Sequence, residues 1–113
     1  MITIYHNARC GKSREGLKLV EESNQEFEIV KYLDTPPTET ELKEILNKLG
    51  YKPSELIRTN EAIWKENYKG KTFTDDELIT IMVENPKLIE RPIVINGNKA
   101  VVGRPPEKIK DIL

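Results

Sequence analysis

The sequence predicts an α/β fold, with a βαβ unit at its start, a ββα unit at its end and a helical insert between them. Three observations predict it. Ile2-Thr3-Ile4-Tyr5 alternates β-branched and aromatic residues just ahead of a polar link and an amphipathic stretch. From about residue 38 to about 88 the apolar residues recur at helical spacing. Between Arg91 and Gly103 two apolar runs flank Asn96-Gly97-Asn98, the composition of a hairpin turn.

Taken in order, Ile2–Tyr5 is the first strand and Ser13–Glu22 the helix that follows. In that helix Leu17 and Val20 fall three apart, Gly16 allows close approach to the sheet, and Lys18, Glu21 and Glu22 face water. Phe27–Leu33 is a second strand, apolar enough to be covered on both faces and parallel to the first if the helix is a right-handed crossover. After Pro36-Pro37, Leu42, Ile45, Leu46 and Leu49 share one helix face, with Thr38 or Thr40 as cap and Gly50 as stop. Pro53–Arg58 and Glu61–Tyr68 suit two short helices, and Thr74-Asp75-Asp76-Glu77 is a capping box opening a helix to Glu84. The hairpin comes next, and Pro105-Pro106-Glu107 suits the first turn of a terminal helix, 107–113.

This order matches a thioredoxin-like βαβ…ββα core with two parallel and two antiparallel strands, forming a single domain over 1–113 with a helical insert at about 38–88. A chain of 113 residues can bury roughly two-thirds of its unfolded surface and needs no disulfide or structural metal. Its 18 basic and 19 acidic residues leave a net charge of −1, which argues against a general grip on nucleic acid. No cationic apolar leader or run of about 18 apolar residues is present. One cysteine cannot form an intrachain disulfide. A cytoplasmic protein with a reduced thiol and no membrane partner is the expectation.

The stretch "HNARCGKSRE", 6–15, holds the only histidine and the only cysteine. Gly11-Lys12-Ser13 ends like a phosphate-binding Walker loop, but the required earlier glycine is replaced by His6. A cysteine phosphatase loop needs arginine at position 16, which is glycine, and a dithiol motif needs cysteine where Ser13 stands. What remains is Cys-x-x-Ser with Cys10 just ahead of a helix. Backbone N–H groups at the helix start, those of Gly11, Lys12 and Ser13, stabilise a thiolate and can hold an oxyanion beside it. Arg9, Lys12, Arg14 and a protonated His6 act in the same sense. A lone cysteine is also commonly a small buried hydrophobe, yet Arg9, Gly11 and Lys12 are poor flanks for a core position. His6 at a strand end reads as a modulator of Cys10 rather than an indispensable base.

Residues 2–14, the segment "PSELIRTN" at 53–60 and "FTDDELITIMVENPKLIERPIVI" at 73–95 resemble the glutaredoxin-coupled arsenate reductase family over almost the whole chain. That resemblance implies a thioredoxin-like core and reduction of arsenate to arsenite, with no bound cofactor, glutathione as co-substrate and a glutaredoxin as partner. It implies Cys10 as the nucleophile and Arg58, Arg91 and Arg104 as contacts of arsenate or a similar oxyanion, with His6 and Ser13 tuning the thiolate. The family commonly has proline at the position of Ala8. Read from the residues alone, Arg91 enters the third strand opposite the helix start and Arg104 closes the hairpin. Each of the three arginines also has an ordinary reading as a surface side chain, Arg58 covering the insert with its aliphatic stem. A thioredoxin-like core further implies a cis bond at Arg91–Pro92. The alternative is a regulator of the related thiol-stress group, which binds RNA polymerase; here exposed Trp64 or Tyr68 would dock on the partner.

Overall fold

The computed structural model describes residues 1–113, which form two compact units. The first comprises Met1–Thr35 and Arg91–Leu113, the second Pro36–Glu90.

In the first unit, strand β1 (Ile2–Tyr5) leads through a loop into α1 (Gly11–Glu22) and then β2 (Phe27–Val30). Strands β3 (Ile93–Asn96) and β4 (Lys99–Val102) complete a four-stranded sheet of order β2-β1-β3-β4. β1 runs parallel to β2, with Ile2 opposite Phe27, and antiparallel to β3, with Ile4 opposite Val94. Gly97, at φ +64°, supplies the left-handed residue that the tight β3–β4 turn needs. Alternation in β1 sends Ile2 and Ile4 inward, where they meet Val20 of α1, Val94 of β3 and Ile109. The expected cis bond at Arg91–Pro92 is present, and Arg104–Pro105 is cis as well.

Three expectations for this unit need correction. β2 is not covered on both faces: it ends at Val30, lies at the sheet edge and leaves Ile29 43% exposed. Pairing of β1 with β3 on its other side leaves β2 only one neighbour, so part of its apolar run stays in water. The terminal segment Pro106–Ile112 is a 3₁₀ helix and not an α-helix. α1 starts two residues before Ser13, which makes Cys10 its N-cap.

The second unit is helical. α2 (Glu39–Leu49) opens on a capping box of Thr38 with Glu41 and closes on Gly50, at φ +70°. α3 (Pro53–Leu56) and α4 (Ala62–Asn67) are short. α5 (Asp75–Glu84) opens on the Thr74–Glu77 capping box and packs against α2 and α3. Trp64, Tyr68 and Phe73 are half-buried and pack on one another, tilted or edge-to-face, with ring centroids 5.5–5.9 Å apart. Trp64 and Tyr68 therefore belong to a packed cluster and are not the exposed rings that a docking role assumed. No helix of the chain is long and apolar enough to cross a membrane.

Candidate active site

The loop from β1 to α1 is held by the helix it feeds. The Ser13 hydroxyl, fully buried, accepts a hydrogen bond from the Asn7 N–H at 3.0 Å and lies 2.7 Å from Nδ1 of His6. Arg14 donates from Nη1 to the Ala8 carbonyl at 2.9 Å, and the Asn7 side chain accepts from the Arg9 N–H at 3.0 Å. The Cys10 N–H donates to the Asn7 carbonyl at 3.0 Å. These bonds order the loop with Ala8 in it, without the ring constraint of a proline.

Cys10 sits half-buried at the N-cap of α1. Its thiol forms no cap hydrogen bond of ordinary geometry, and the first turn carries no acidic side chain, unlike those of α2 and α5. No carboxylate of the first turn therefore competes for the helix start. Burial pushes the Cys10 thiol up, but the N–H of Ser13, the guanidinium of Arg91 and the N–H of Lys12 together outweigh it and hold the pKa below the ordinary thiol value. Arg104 adds a contact from Nη2 to Sγ at 3.5 Å.

The cations adjacent in sequence do not supply this field. Lys12 pairs with Glu15 at 3.7 Å, Arg14 is committed to Ala8, and Arg9 is exposed. His6 is buried, which lowers its pKa despite an opposing contact with the Ser13 backbone, and nearby Lys31 and Arg14 lower it further. The expectation of a protonated His6 runs against this environment, because an imidazolium there would be desolvated beside two cations.

Arg91 and Arg104 reach the sulfur through a packing arrangement that sequence reasoning identified only in part. A Cβ on Gly16 would lie 2.9 Å from both Pro92 Cγ and Ile109 Cδ1, and one on Gly103 would lie 2.9 and 2.8 Å from the same atoms. Both glycines therefore press on Ile109 and on the Pro92 ring, directly ahead of β3; the close approach expected of Gly16 is made there. The Gly103 N–H donates to the Pro92 carbonyl at 2.8 Å, and Nε of Arg104 donates to the Arg91 carbonyl at 2.8 Å. The segments before β3 and after β4 are thereby joined, each with its arginine beside the start of α1. The missed signal was the second glycine, directly before Arg104.

Arg58 stands in the helical unit. Its Nε donates to Glu61 at 3.1 Å and its Nη1 to Glu90 at 2.6 Å, with the side chain 13% exposed. Its own N–H donates to the Leu88 carbonyl at 2.7 Å, next to the Ile57–Ile89 bridge. The site so described joins a stabilised thiolate to two guanidinium groups and the N–H groups of a helix start, which together suit nucleophilic attack on a tetrahedral oxyanion.

Comparison with known proteins gives a consistent picture. The sequence model of the ArsC family matches residues 5–112. The uncharacterized protein YfgD of Escherichia coli (strain K12) is 46% identical over 99% of this chain and 96% of its own length. An arsenate reductase of Neisseria meningitidis is 45% identical over 99% of this chain and 97% of its own. Among solved structures, an arsenate reductase from Vibrio cholerae superposes with a TM-score of 0.94 at 43% identity, covering 99% of this chain and 97% of that one.

Proposed function

The chain belongs to the ArsC family, and on that premise we propose that it reduces arsenate to arsenite, with Cys10 as nucleophile and glutathione with a glutaredoxin as electron source. The Cys10 thiolate attacks arsenic(V). A sulfur–arsenic bond forms, an arsenic–oxygen bond breaks, and the oxygen leaves as water after taking up a proton. Arg91 and Arg104 neutralise the oxyanion charge as it is transferred. Arg58, the third arginine the resemblance implies, is paired with Glu61 and Glu90 inside the helical unit, and no step here runs through it. A glutathione thiolate then attacks the Cys10 sulfur. The sulfur–sulfur bond forms, the sulfur–arsenic pair stays with arsenic, and arsenic(III) departs as arsenite. Glutaredoxin takes the glutathionyl group from the mixed disulfide and restores the Cys10 thiolate, and a second glutathione restores glutaredoxin. Two thiols are oxidised for each arsenate reduced.

The observation that carries this reading is the meeting of Arg91 and Arg104 with the Cys10 sulfur at the start of α1. Composition supports an external thiol, since Cys10 is the only cysteine of the sequence. Phosphate matches arsenate in charge and shape, so selection rests on reducibility: a thiol can take arsenic from pentavalent to trivalent, and phosphate offers no such route. The test is an omission series. Arsenite should accumulate over many turnovers when glutathione and glutaredoxin are both present and not with thioredoxin alone; a folded protein inert in the complete mixture contradicts the proposal.

A further inference from the structure

A cavity of about 400 Å³ opens beside the loop that leads to Cys10, lined by His6, Ala8 and Arg9 and by Lys31, Leu33 and Asp34 from the segment after β2. We propose that this cavity seats the co-substrate thiol, a tripeptide of the glutathione type carrying two carboxylates and one ammonium group. The proposal rests on the reading that an external thiol serves Cys10, and it adds where that thiol binds.

Size and charge carry the assignment. The volume is that of a small-ligand site. Its charged groups are two cations, Arg9 and Lys31, and one carboxylate, Asp34, the inverse of the ligand's two carboxylates and one ammonium. None of the three side chains is used in an ion pair within the protein, whereas Lys12, Lys43 and Arg58 are paired. Their backbones are nonetheless fixed: the Asp34 and Thr35 N–H groups donate to the Lys31 carbonyl at 3.0 and 2.9 Å, and the Arg9 N–H is held by Asn7. A site for arsenate alone has no use for Asp34, which repels it; a ligand with an ammonium group does. Leu33 and Ala8 offer apolar contact to the ligand's methylene groups. The reach also suits a tripeptide. Ala8 is two residues from Cys10, so their Cα atoms lie within about 7.6 Å, and the thiol of the tripeptide sits on its central residue with a carboxylate to either side.

The experiment titrates the ¹⁵N-labelled full-length protein with S-methylglutathione, which binds as the tripeptide does but cannot react. Saturable shifts are expected at Ala8, Arg9, Lys31 and Asp34, with affinity reduced roughly tenfold by Lys31→Glu and severalfold by Asp34→Asn. In turnover, Lys31→Glu should raise KM for glutathione while KM for arsenate and the Cys10 labelling rate stay unchanged. Amide dispersion of each variant checks that it is folded. No saturable shift, or shifts elsewhere with an affinity that both variants leave intact, overturns the proposal. If S-methylglutathione seats here but arsenate is not reduced, the cavity assignment stands and the arsenate reading falls. If arsenate is reduced while the variants leave KM for glutathione untouched, only the cavity assignment falls.

Discussion

The Cys10 sulfur meets Nη2 of Arg104 at 3.5 Å and is influenced by the Arg91 guanidinium, while Lys12 and Arg14, its neighbours in sequence, are bonded to Glu15 and Ala8. Pairing that holds the thiolate therefore predicts a specific pattern of variants. The pH dependence of iodoacetamide labelling should show an inflection below the free-thiol value of about 8.5. Arg91→Ala should move it upward and lower kcat/KM for arsenate about 10²-fold, whereas Lys12→Ala and Arg14→Ala should leave the inflection in place. His6 offers a second test at this scale. Its folded pKa lies below its unfolded value, so as pH falls below about 6.5 the unfolded chain takes up a proton that the folded chain refuses. Stability is lost through that window until the folded pKa is passed. The urea midpoint should thus drop between pH 7.5 and 5.5, and His6→Gln should make that drop smaller.

At the scale of elements, the start of α1 and the segments carrying Arg91 and Arg104 are brought together by the contacts of Pro92 and Ile109 with Gly16 and Gly103. An added methyl group at either glycine meets a proline ring that has little freedom to yield. Gly16→Ala and Gly103→Ala should each destabilise the fold by about 1–3 kcal/mol, read by denaturant unfolding; an unchanged midpoint would show that the contact relaxes freely. Much at this scale was legible in the sequence because it is local. The Thr74–Glu77 capping box, a threonine cap for α2, the Gly50 stop and the hairpin turn are set by residues within four positions of one another. The exposure of β2 was not legible, because its position at the sheet edge depends on where β3 pairs. Nor was the shared packing of Gly16 and Gly103 on Pro92 and Ile109, since two glycines so far apart in the chain say nothing of a shared neighbour.

For the whole molecule, the same division between local and distant explains what could be read of the site. Cys10 ahead of a helix was evident from one ten-residue stretch, and its cationic surroundings were inferred from the wrong residues, because sequence neighbours are not spatial neighbours across a loop that turns. Arg91 and Arg104 came from the family resemblance; their meeting with Cys10 needs the sheet order to be known. The proposed cycle requires that a single sulfur accept arsenic and an outside thiol release it. Arsenite production by Cys10→Ser in the presence of glutathione and glutaredoxin tests this most directly. Sustained turnover is expected of the unmodified protein and none of a folded Cys10→Ser variant; arsenite formed at comparable rates without the Cys10 sulfur would contradict the nucleophile assignment.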